Sequence, residues 1–300
     1  MSETNKYLKS TISQISNFYR NNTQPPEDMY ENLLMELRFS ELLMPVVFDG
    51  EHLSFPHIEV DDGTKLLPLF TSDDELKKYS EDFDRFANDI EYYVKLVGDF
   101  GFDGILIDLK SDELCIDNAM LKKIPRSHET RKNRGLDPSR LREMALSEKN
   151  VALRSFIKDP SNFNRYDEIS RLLVDSLLLN VVVSEEDLSG IAEDGIISRD
   201  DSFTFTLYTK KSGRDHYGVV YTDTDAIVSF HETLKYHYYV QVTNKHRVFD
   251  FILSNGMDGI IINPGTDEYY VPRQVLLRLF SDDLLDERLE NATRYAFPIE

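Results

Sequence analysis

The sequence predicts an α/β protein of mixed α+β type, built from two tandem repeats of one module, each a small mixed sheet flanked by helices. Composition supports a globular fold, since 41% of the 300 residues are hydrophobic and 29% are charged. Apolar residues recur at helical spacing in some segments and form short runs in others, which indicates alternating helices and strands. The main observation is internal similarity: residues 101–107 read GFDGILI, and residues 256–262 read GMDGIII.

Two further pairs of segments recur in the same order. Residues 37–47 (LRFSELLMPVV) match residues 172–182 (LLVDSLLLNVV) at an offset of 135, and residues 68–72 (PLFTS) face residues 219–223 (VVYTD) at an offset of 151. The offset reaches 155 at the pair that contains the Asp-Gly turn. This growing offset predicts insertions in the second copy, mainly within residues 184–202.

Each predicted copy begins with an amphipathic helix and a strand. Helical spacing of apolar residues is clear at residues 29–37 and 169–176, and strands are predicted at 44–48 and 179–183. Alternation at residues 203–207 predicts a hairpin-like region before the next strand.

That next strand ends at Phe70 or Tyr221 and leads into a second helix. A hydroxyl residue followed three positions later by a carboxylate can satisfy the free amides of a helix start. Three such pairs are present: Thr71 with Asp74, Ser72 with Glu75, and Thr222 with Asp225.

A third helix in each copy stops at a glycine, Gly101 or Gly256, as expected for a left-handed C-terminal cap. The Asp-Gly turn that follows leads into an apolar strand. A short strand and a final helix, near residues 119–124 and 274–280, close each predicted module.

These patterns divide the chain into five predicted segments. They are an N-terminal helix and linker (1–27), a first module (28–124), a basic and partly helical linker (125–167), a second module (168–280) and an acidic C-terminal tail (281–300).

The net charge of the chain disfavours nucleic acids and membranes as partners. The chain carries 54 acidic and 34 basic residues, a net charge of -20, which repels phosphate backbones and anionic lipid. Residues 1–20 lack the apolar core of a signal peptide, and no segment approaches the length of a membrane span. We therefore expect a cytoplasmic protein that binds neither nucleic acid nor membranes. The lone cysteine, Cys115, lies in an apolar run and is predicted to be a buried strand residue.

Several of these landmarks resemble the N-terminal domain of the SseB (enhanced serine sensitivity) family. In the first copy they are Met44-Pro45-Val46 and the PLFTS of residues 68–72, and in the second copy the GIIINPG of residues 259–265. Each copy departs from the pattern where the other follows it. The first has Asp108-Leu109-Lys110 in place of Asn-Pro-Gly, and the second has Tyr221-Thr222-Asp223 in place of Phe-Thr-Ser.

The resemblance implies an accessory or interaction module without an established reaction. The expected function is therefore non-catalytic binding of a protein partner, and a homodimer remains an open alternative. No catalytic, cofactor-binding or metal-binding residue is predicted. Loops at strand ends often carry binding sites in α/β folds. The predicted partner-binding residues are Phe70, Thr71, Ser72, Asn263, Pro264 and Gly265.

Two alternative functions stay open. The first is a small-molecule-binding or hydrolytic enzyme that uses His216, Tyr217, His231 and His237 of the second module. His231 and His237 are six residues apart, so they do not match the i, i+4 spacing of a zinc helix. The second is an RNA-associated protein that uses the basic linker, although no aromatic residues interleave there to stack on bases.

Overall fold

The computed structural model describes residues 5–49, 52–60, 63–124, 136–199, 206–231, 237–281, 289 and 292–298. The chain divides into two compact units. Unit 1 comprises Met1–His128 with Ser254–Gly256, and unit 2 comprises Glu129–Leu253 with Met257–Glu300. The predicted α/β class is confirmed. Among the described residues, no helix has the length and apolar character that crossing a membrane requires.

Unit 1 contains five helices and seven strands in its described part. In chain order they are α1 (Lys6–Arg20), α2 (Glu27–Arg38), β1 (Glu41–Asp49), β2 (His52–Ser54), β3 (Ile58–Glu59), β4 (Lys65–Leu69), α3 (Asp73–Tyr79), β5 (Asp84–Asp89), α4 (Ile90–Phe100), β6 (Gly104–Ile107), β7 (Leu114–Asp117) and α5 (Asn118–Leu121).

Two sheets form the framework of unit 1. One has the strand order β2-β1-β5 and is antiparallel. The other has the order β3-β4-β6-β7, in which only the central pair, β4 and β6, is parallel. An antiparallel bridge between Leu43 and Phe70 joins β1 to the end of β4. The core between these elements includes Leu8 and Ile12 of α1, so the N-terminal helix is part of unit 1.

The described part of unit 2 follows with six helices and nine strands. They are α6 (Pro138–Ser147), α7 (Val151–Lys158), α8 (Tyr166–Asp175), β8 (Leu179–Ser184), β9 (Ile197–Ser198), β10 (Thr206–Leu207), β11 (Thr209–Ser212), β12 (Asp215–Val220), α9 (Thr224–His231), β13 (His237–Val242), α10 (Lys245–Ser254), β14 (Gly259–Ile262), β15 (Tyr269–Pro272), α11 (Arg273–Ser281) and β16 (Tyr295–Ala296).

The sheets of unit 2 have the same strand order and directions as those of unit 1. One is β10-β8-β13, and the other is β11-β12-β14-β15 with a parallel pair at its centre. A bridge between Leu179 and Tyr221 joins β8 to the end of β12, as Leu43 and Phe70 do in unit 1. A separate two-stranded sheet, β16-β9, has no counterpart among the described strands of unit 1.

Local features of the sequence explain where helices end. Gly101 and Gly256 adopt left-handed φ angles of 69° and 63°, as predicted for C-terminal caps. Ser72 caps α3 by accepting a hydrogen bond from the Glu75 amide, which also agrees with the prediction. The predicted alternation at Phe203 and Phe205 lies outside the described residues.

The prediction for Cys115 is wrong in part. The residue does lie in a strand, β7, but its side chain is exposed. Burial alternates along β7, and Leu114 and Ile116 face the core on either side of Cys115. The apolar run predicts a buried residue, whereas β7 is an edge strand with one outward face, on which Cys115 lies.

Candidate functional site

The ends of the parallel strands β4 and β6 lie at one edge of their sheet, and this brings Thr71 next to Asp108. The Thr71 amide donates to Asp108 Oδ1 at 2.9 Å, and the Thr71 hydroxyl donates to Asp108 Oδ2 at 2.6 Å. Both residues are buried. Asp108 has a φ of 51°, a left-handed conformation that Asp and Asn adopt more readily than most residues.

Unit 2 has the same arrangement at the ends of β12 and β14, with an amide in place of the carboxyl group. The Thr222 amide donates to Asn263 Oδ1 at 2.9 Å, and Asn263 Nδ2 donates to Thr222 Oγ1 at 2.8 Å. Asn263 has a φ of 49°, and both side chains are fully buried. We refer to the Thr71–Asp108 and Thr222–Asn263 pairs as the threonine–Asx pairs.

A buried carboxylate lies beside the threonine–Asx pair of unit 1. Glu75 on α3 is 2% exposed and accepts hydrogen bonds from Lys9 at 2.5 Å, Lys78 at 2.9 Å and Ser111 at 2.7 Å. Burial alone would raise the pKa of Glu75, but the bonds from the two lysines and the serine outweigh it and hold the pKa at about 2. Glu75 is therefore ionised at neutral pH.

Burial has the opposite net effect on Asp108. Desolvation raises the pKa of this carboxyl, and the negative charge of Glu75 adds to the rise, against the bonds from Thr71 that lower it. Two neighbouring acids thus differ in pKa, one depressed and one raised. Such a pair can serve acid–base chemistry, but here each carboxyl is engaged in bonds within the fold.

Unit 2 has a different charged residue beside its threonine–Asx pair. Asp223 is fully buried, and its Oδ2 accepts bonds from Thr222 Oγ1 at 2.9 Å and from Arg154 at 2.8 Å. Its Oδ1 accepts the Ala226 amide at 2.9 Å. Asp223 therefore caps the start of α9, and the predicted capping role of Thr222 with Asp225 is wrong because the Thr222 hydroxyl is engaged by Asn263 and Asp223.

In each unit, an asparagine just before a helix, α1 in unit 1 and α7 in unit 2, bonds to the backbone next to the threonine–Asx pair. Asn5 Nδ2 donates to the carbonyls of Glu41 (2.6 Å) and Thr71 (2.9 Å), immediately before α1. Asn150 Nδ2 donates to the carbonyls of Leu177 and Thr222, immediately before α7.

Charged residues one turn into these helices complete the contact. Lys9 of α1 pairs with Glu75, and Arg154 of α7 pairs with Asp223 and Asp267. Each helix is thus fastened at the same edge of its sheet by an asparagine and a cation.

Sequence reasoning missed this correspondence, although the signal was present. Residues 5–12 read NKYLKSTI and residues 150–157 read NVALRSFI, a shared Asn-x-x-Leu-[Lys/Arg]-Ser-x-Ile pattern at an offset of 145. The leucine and isoleucine of both segments are buried. The pattern lies in the segments predicted to be an N-terminal helix and a basic linker, outside both predicted modules.

The predicted partner-binding residues are mostly buried. Phe70, Thr71, Asn263 and Pro264 are buried, Ser72 is partly exposed, and Gly265 is exposed. Phe70, Thr71 and Ser72 lie in unit 1, and Asn263, Pro264 and Gly265 lie at the corresponding edge of unit 2. The structure thus gives these side chains contacts within the fold, and a role in binding stays a prediction.

The histidines proposed for an enzymatic site are placed on different elements. His216 lies on β12 and contacts Thr209 Oγ1 through Nε2 at 2.8 Å, whereas His237 is exposed on β13, a strand of the other sheet. Tyr217 packs edge-on against Tyr270. The side chain of His231 lies outside the described residues. Among the described residues, no group of three or more potential ligands could hold a metal ion.

Unit 2 also contains a cavity of about 430 Å³ beside α6. Its lining combines one cation with acidic, hydroxyl and apolar groups: Ser139, Arg142, Glu143, Leu146, Ser147, Asp194 and Ile196. Neither His216 nor His237 lines it. The centre of the predicted basic linker, residues 126–134, lies outside the described residues.

Comparison with known proteins identifies part of unit 1. The family model described as the SseB protein N-terminal domain matches residues 20–94. The match runs from the end of α1 into α4 and includes Thr71 and Glu75, but it stops before Asp108. No curated protein and no solved structure matches the chain.

Proposed function

We propose that this chain is a non-catalytic interaction protein of the SseB type that binds a protein partner, and that both of its units derive from one SseB-like module. The family match to residues 20–94 supports the first part for unit 1. The duplication and the binding role rest on the arguments that follow.

The detailed agreement between the two units supports a duplication. Strand order, the bridge between the sheets, the threonine–Asx pairs and the asparagines before α1 and α7 all correspond. Unrelated folds share strand orders, but they have no reason to share the same polar contacts at the same places. The module would then start at Asn5 and at Asn150, earlier than the boundaries expected from sequence.

A non-catalytic role is supported by how the polar groups at the strand ends are used. In unit 1, Thr71 bonds to Asp108, and Lys9 of α1 bonds to Glu75. In unit 2, Asn263 bonds to Thr222, and Arg154 of α7 bonds to Asp223. Groups that are engaged in this way hold the fold together, which supports a structural role for these side chains.

The observation that carries the proposal is an aromatic cluster on unit 1 that leaves Phe100 exposed. Phe100, at the end of α4, is 61% exposed and lies against Phe55 and Phe102, with ring centroids 5.1 Å and 6.3 Å away. His57 packs on Phe102 at 6.0 Å. Phe102 is buried in the core of unit 1 and Phe55 is half-buried, so Phe100 and His57 are the exposed members of the cluster. An exposed phenylalanine supported by further aromatic rings is costly in water and is typical of protein-binding surfaces. We call Phe55, His57, Phe100 and Phe102 the aromatic patch.

Site-specific photocrosslinking tests the proposal. A photoreactive phenylalanine analogue at position 100 should capture a defined protein from native lysate, in a nuclease-resistant manner. The matched control is position 163 in unit 2, because Phe163 is also 61% exposed and packs against one aromatic ring, that of Tyr269.

Phe100→Ala should weaken binding of the captured partner at least tenfold, and Phe163→Ala should leave it unchanged. Capture at both positions alike, or equal affinity of the two alanine variants, would contradict the proposed surface. Crosslinking of RNA at low salt but not at high salt would favour the RNA alternative instead.

A further inference from the structure

Strand β5 is one of the two edge strands of the antiparallel sheet in unit 1, as far as the described residues go. In β5, the backbone N–H and C=O groups of Phe86 and Asn88 point towards β1. Their partners on β1 flank Leu43, whose own backbone groups bond to Phe70 on the opposite side of β1. The backbone N–H and C=O groups of Arg85 and Ala87 therefore point away from the sheet. Within the part of the chain that the structure describes, no backbone group bonds to them.

The corresponding edge of unit 2 pairs with a later segment of the chain through one antiparallel bridge. Val240 on β13 pairs with Val181 of β8 in the position that Arg85 takes opposite Pro45 of β1. The Val240 amide donates to the Phe297 carbonyl at 2.9 Å, and the Phe297 amide donates back at 2.8 Å. This edge of the fold thus accepts an antiparallel segment where one is supplied.

We propose that β5 pairs with β5 of a second copy of this chain, antiparallel and centred on Ala87. In this register Ala87 faces its own counterpart across a two-fold axis, and the two residues exchange a pair of N–H···O bonds. Arg85, which pairs with Asp73 in its own chain, then lies opposite Asp89 of the partner subunit, whose carboxylate also caps α4. The same contact repeats on the other side of the axis.

Charge complementarity selects this register and this occupant. Opposite charges on directly facing residues stabilise an antiparallel pair, and like charges destabilise it. A two-fold axis centred on Arg85 or on Asp89 would bring identical charges together, and one centred on Phe86 would bring no opposite charges together. The small side chain of Ala87 leaves room at the axis. Exposed edges of this kind readily recruit a further strand.

This inference goes beyond the proposed partner binding, because it uses neither the aromatic patch nor a second protein. The Phe100→Ala variant should therefore self-associate like the wild type. Failure of the partner proposal would leave the dimer standing, and the reverse also holds.

Cysteine crosslinking in the full-length chain tests the register. The native thiol is first removed by Cys115→Ser, since Cys115 is exposed. In that background Ala87→Cys should form a disulfide-linked dimer under mild oxidation, because facing residues of a bonded pair lie about 5.5 Å apart at Cα, within disulfide range. Asp84→Cys is the matched control on the same exposed edge. Its counterpart would lie about 20 Å away in this register, six residues along the strand.

Sedimentation velocity over a concentration series completes the test. The wild type should shift from monomer towards dimer as concentration rises, and Ala87→Pro, which removes the outward N–H, should remain monomeric while retaining a native circular dichroism spectrum. A wild type that stays monomeric throughout would overturn the proposal. Equal crosslinking of the two cysteine variants, or none by Ala87→Cys, would overturn it as well.

Discussion

The threonine–Asx pairs of the two units meet one structural demand with two chemistries. Asp108 and Asn263 both hold a buried threonine from a left-handed backbone position, through two hydrogen bonds each. The carboxyl accepts both bonds, whereas the amide accepts one and donates the other. The geometry of the site therefore requires a short planar side chain with two polar atoms, and it does not specify the charge.

The buried anions that pair with α1 in unit 1 and with α7 in unit 2 differ in position and not in charge. In unit 1 the anion is Glu75, one turn into α3, and the corresponding position of unit 2 holds the buried Ala226. In unit 2 the anion is Asp223, where unit 1 has Ser72. Each unit thus keeps one buried anion facing a cation on the preceding helix, and only its position changes.

The largest expected effect comes from Asn263→Ala. The change leaves the Thr222 amide buried without its acceptor, removes the donor to the Thr222 hydroxyl, which keeps its bond to Asp223, and puts alanine at a positive φ. We therefore expect unfolding of unit 2 to become easier by about 3 kcal/mol. Urea denaturation followed by hydrogen exchange of unit 2 amides measures this. Thr266→Ala is the control, since Thr266 is exposed and its hydroxyl makes one 3.2 Å bond to the Asn263 carbonyl. Equal stability of the two variants would show that the buried pair is dispensable.

A smaller effect is expected from Glu75→Gln, which tests the anion of unit 1. The charge-assisted bonds from Lys9 and Lys78 weaken, and we expect a loss of about 2 kcal/mol at pH 7. The α1 amides should exchange faster with solvent, because α1 loses its ionic contact. Asp73→Asn is a control on the same helix, because Asp73 and its partner Arg85 are both exposed.

The same variant predicts a pH dependence with a definite sign. The pKa of Glu75 falls from 4.5 to about 2 on folding, so its contribution is present above pH 4.5 and is lost as the pH falls towards 2. Melting temperatures of the wild type should drop more steeply than those of Glu75→Gln over this range. Parallel curves would mean that Glu75 does not have a depressed pKa.

The smallest effect is expected from Asp108→Asn, which makes the pair of unit 1 like that of unit 2. The pKa of Asp108 is raised on folding, so the wild-type carboxyl stabilises unit 1 most at low pH and this contribution is lost as the pH rises. The asparagine amide is uncharged and is not destabilised by burial at pH 7 in this way. We therefore expect the free energy of unfolding of unit 1 to rise by up to about 1 kcal/mol at pH 7. A large loss of stability in equilibrium denaturation would contradict the equivalence of the two Asx residues.

Sequence patterns predicted the framework of both units because burial and turn chemistry are local signals. The GFDGILI and GMDGIII segments became β6 and β14 with their glycine-capped approaches, as expected. The alternation of β7 was harder to interpret, since Leu114 and Ile116 flank an outward Cys115 with only four residues in the strand. A short edge strand gives too few alternations to separate one buried face from two.

The contacts of the candidate site were beyond sequence reasoning for a different reason. Residues that meet there, such as Lys9 with Glu75 or Arg154 with Asp267, are distant in the chain and become neighbours only through sheet topology. The strand-end position of Thr71 and Asn263 was foreseen, but not that folding would bury their side chains. A sequence motif can show that a residue lies at the end of a strand. Whether its side chain is buried depends on the residues that pack against it, which are distant in the chain.

The pairing of Val240 with Phe297 sets an order for folding on the ribosome. The described elements of unit 1 end with α5 at Leu121, so its core can close while the rest of the chain is still being synthesised. Unit 2 must wait for Tyr295–Phe297, which cover β13 and pair with β9 about a hundred residues earlier. Until the buried Phe297 has been synthesised, the backbone groups of Val240 lack this partner and that edge can recruit another strand.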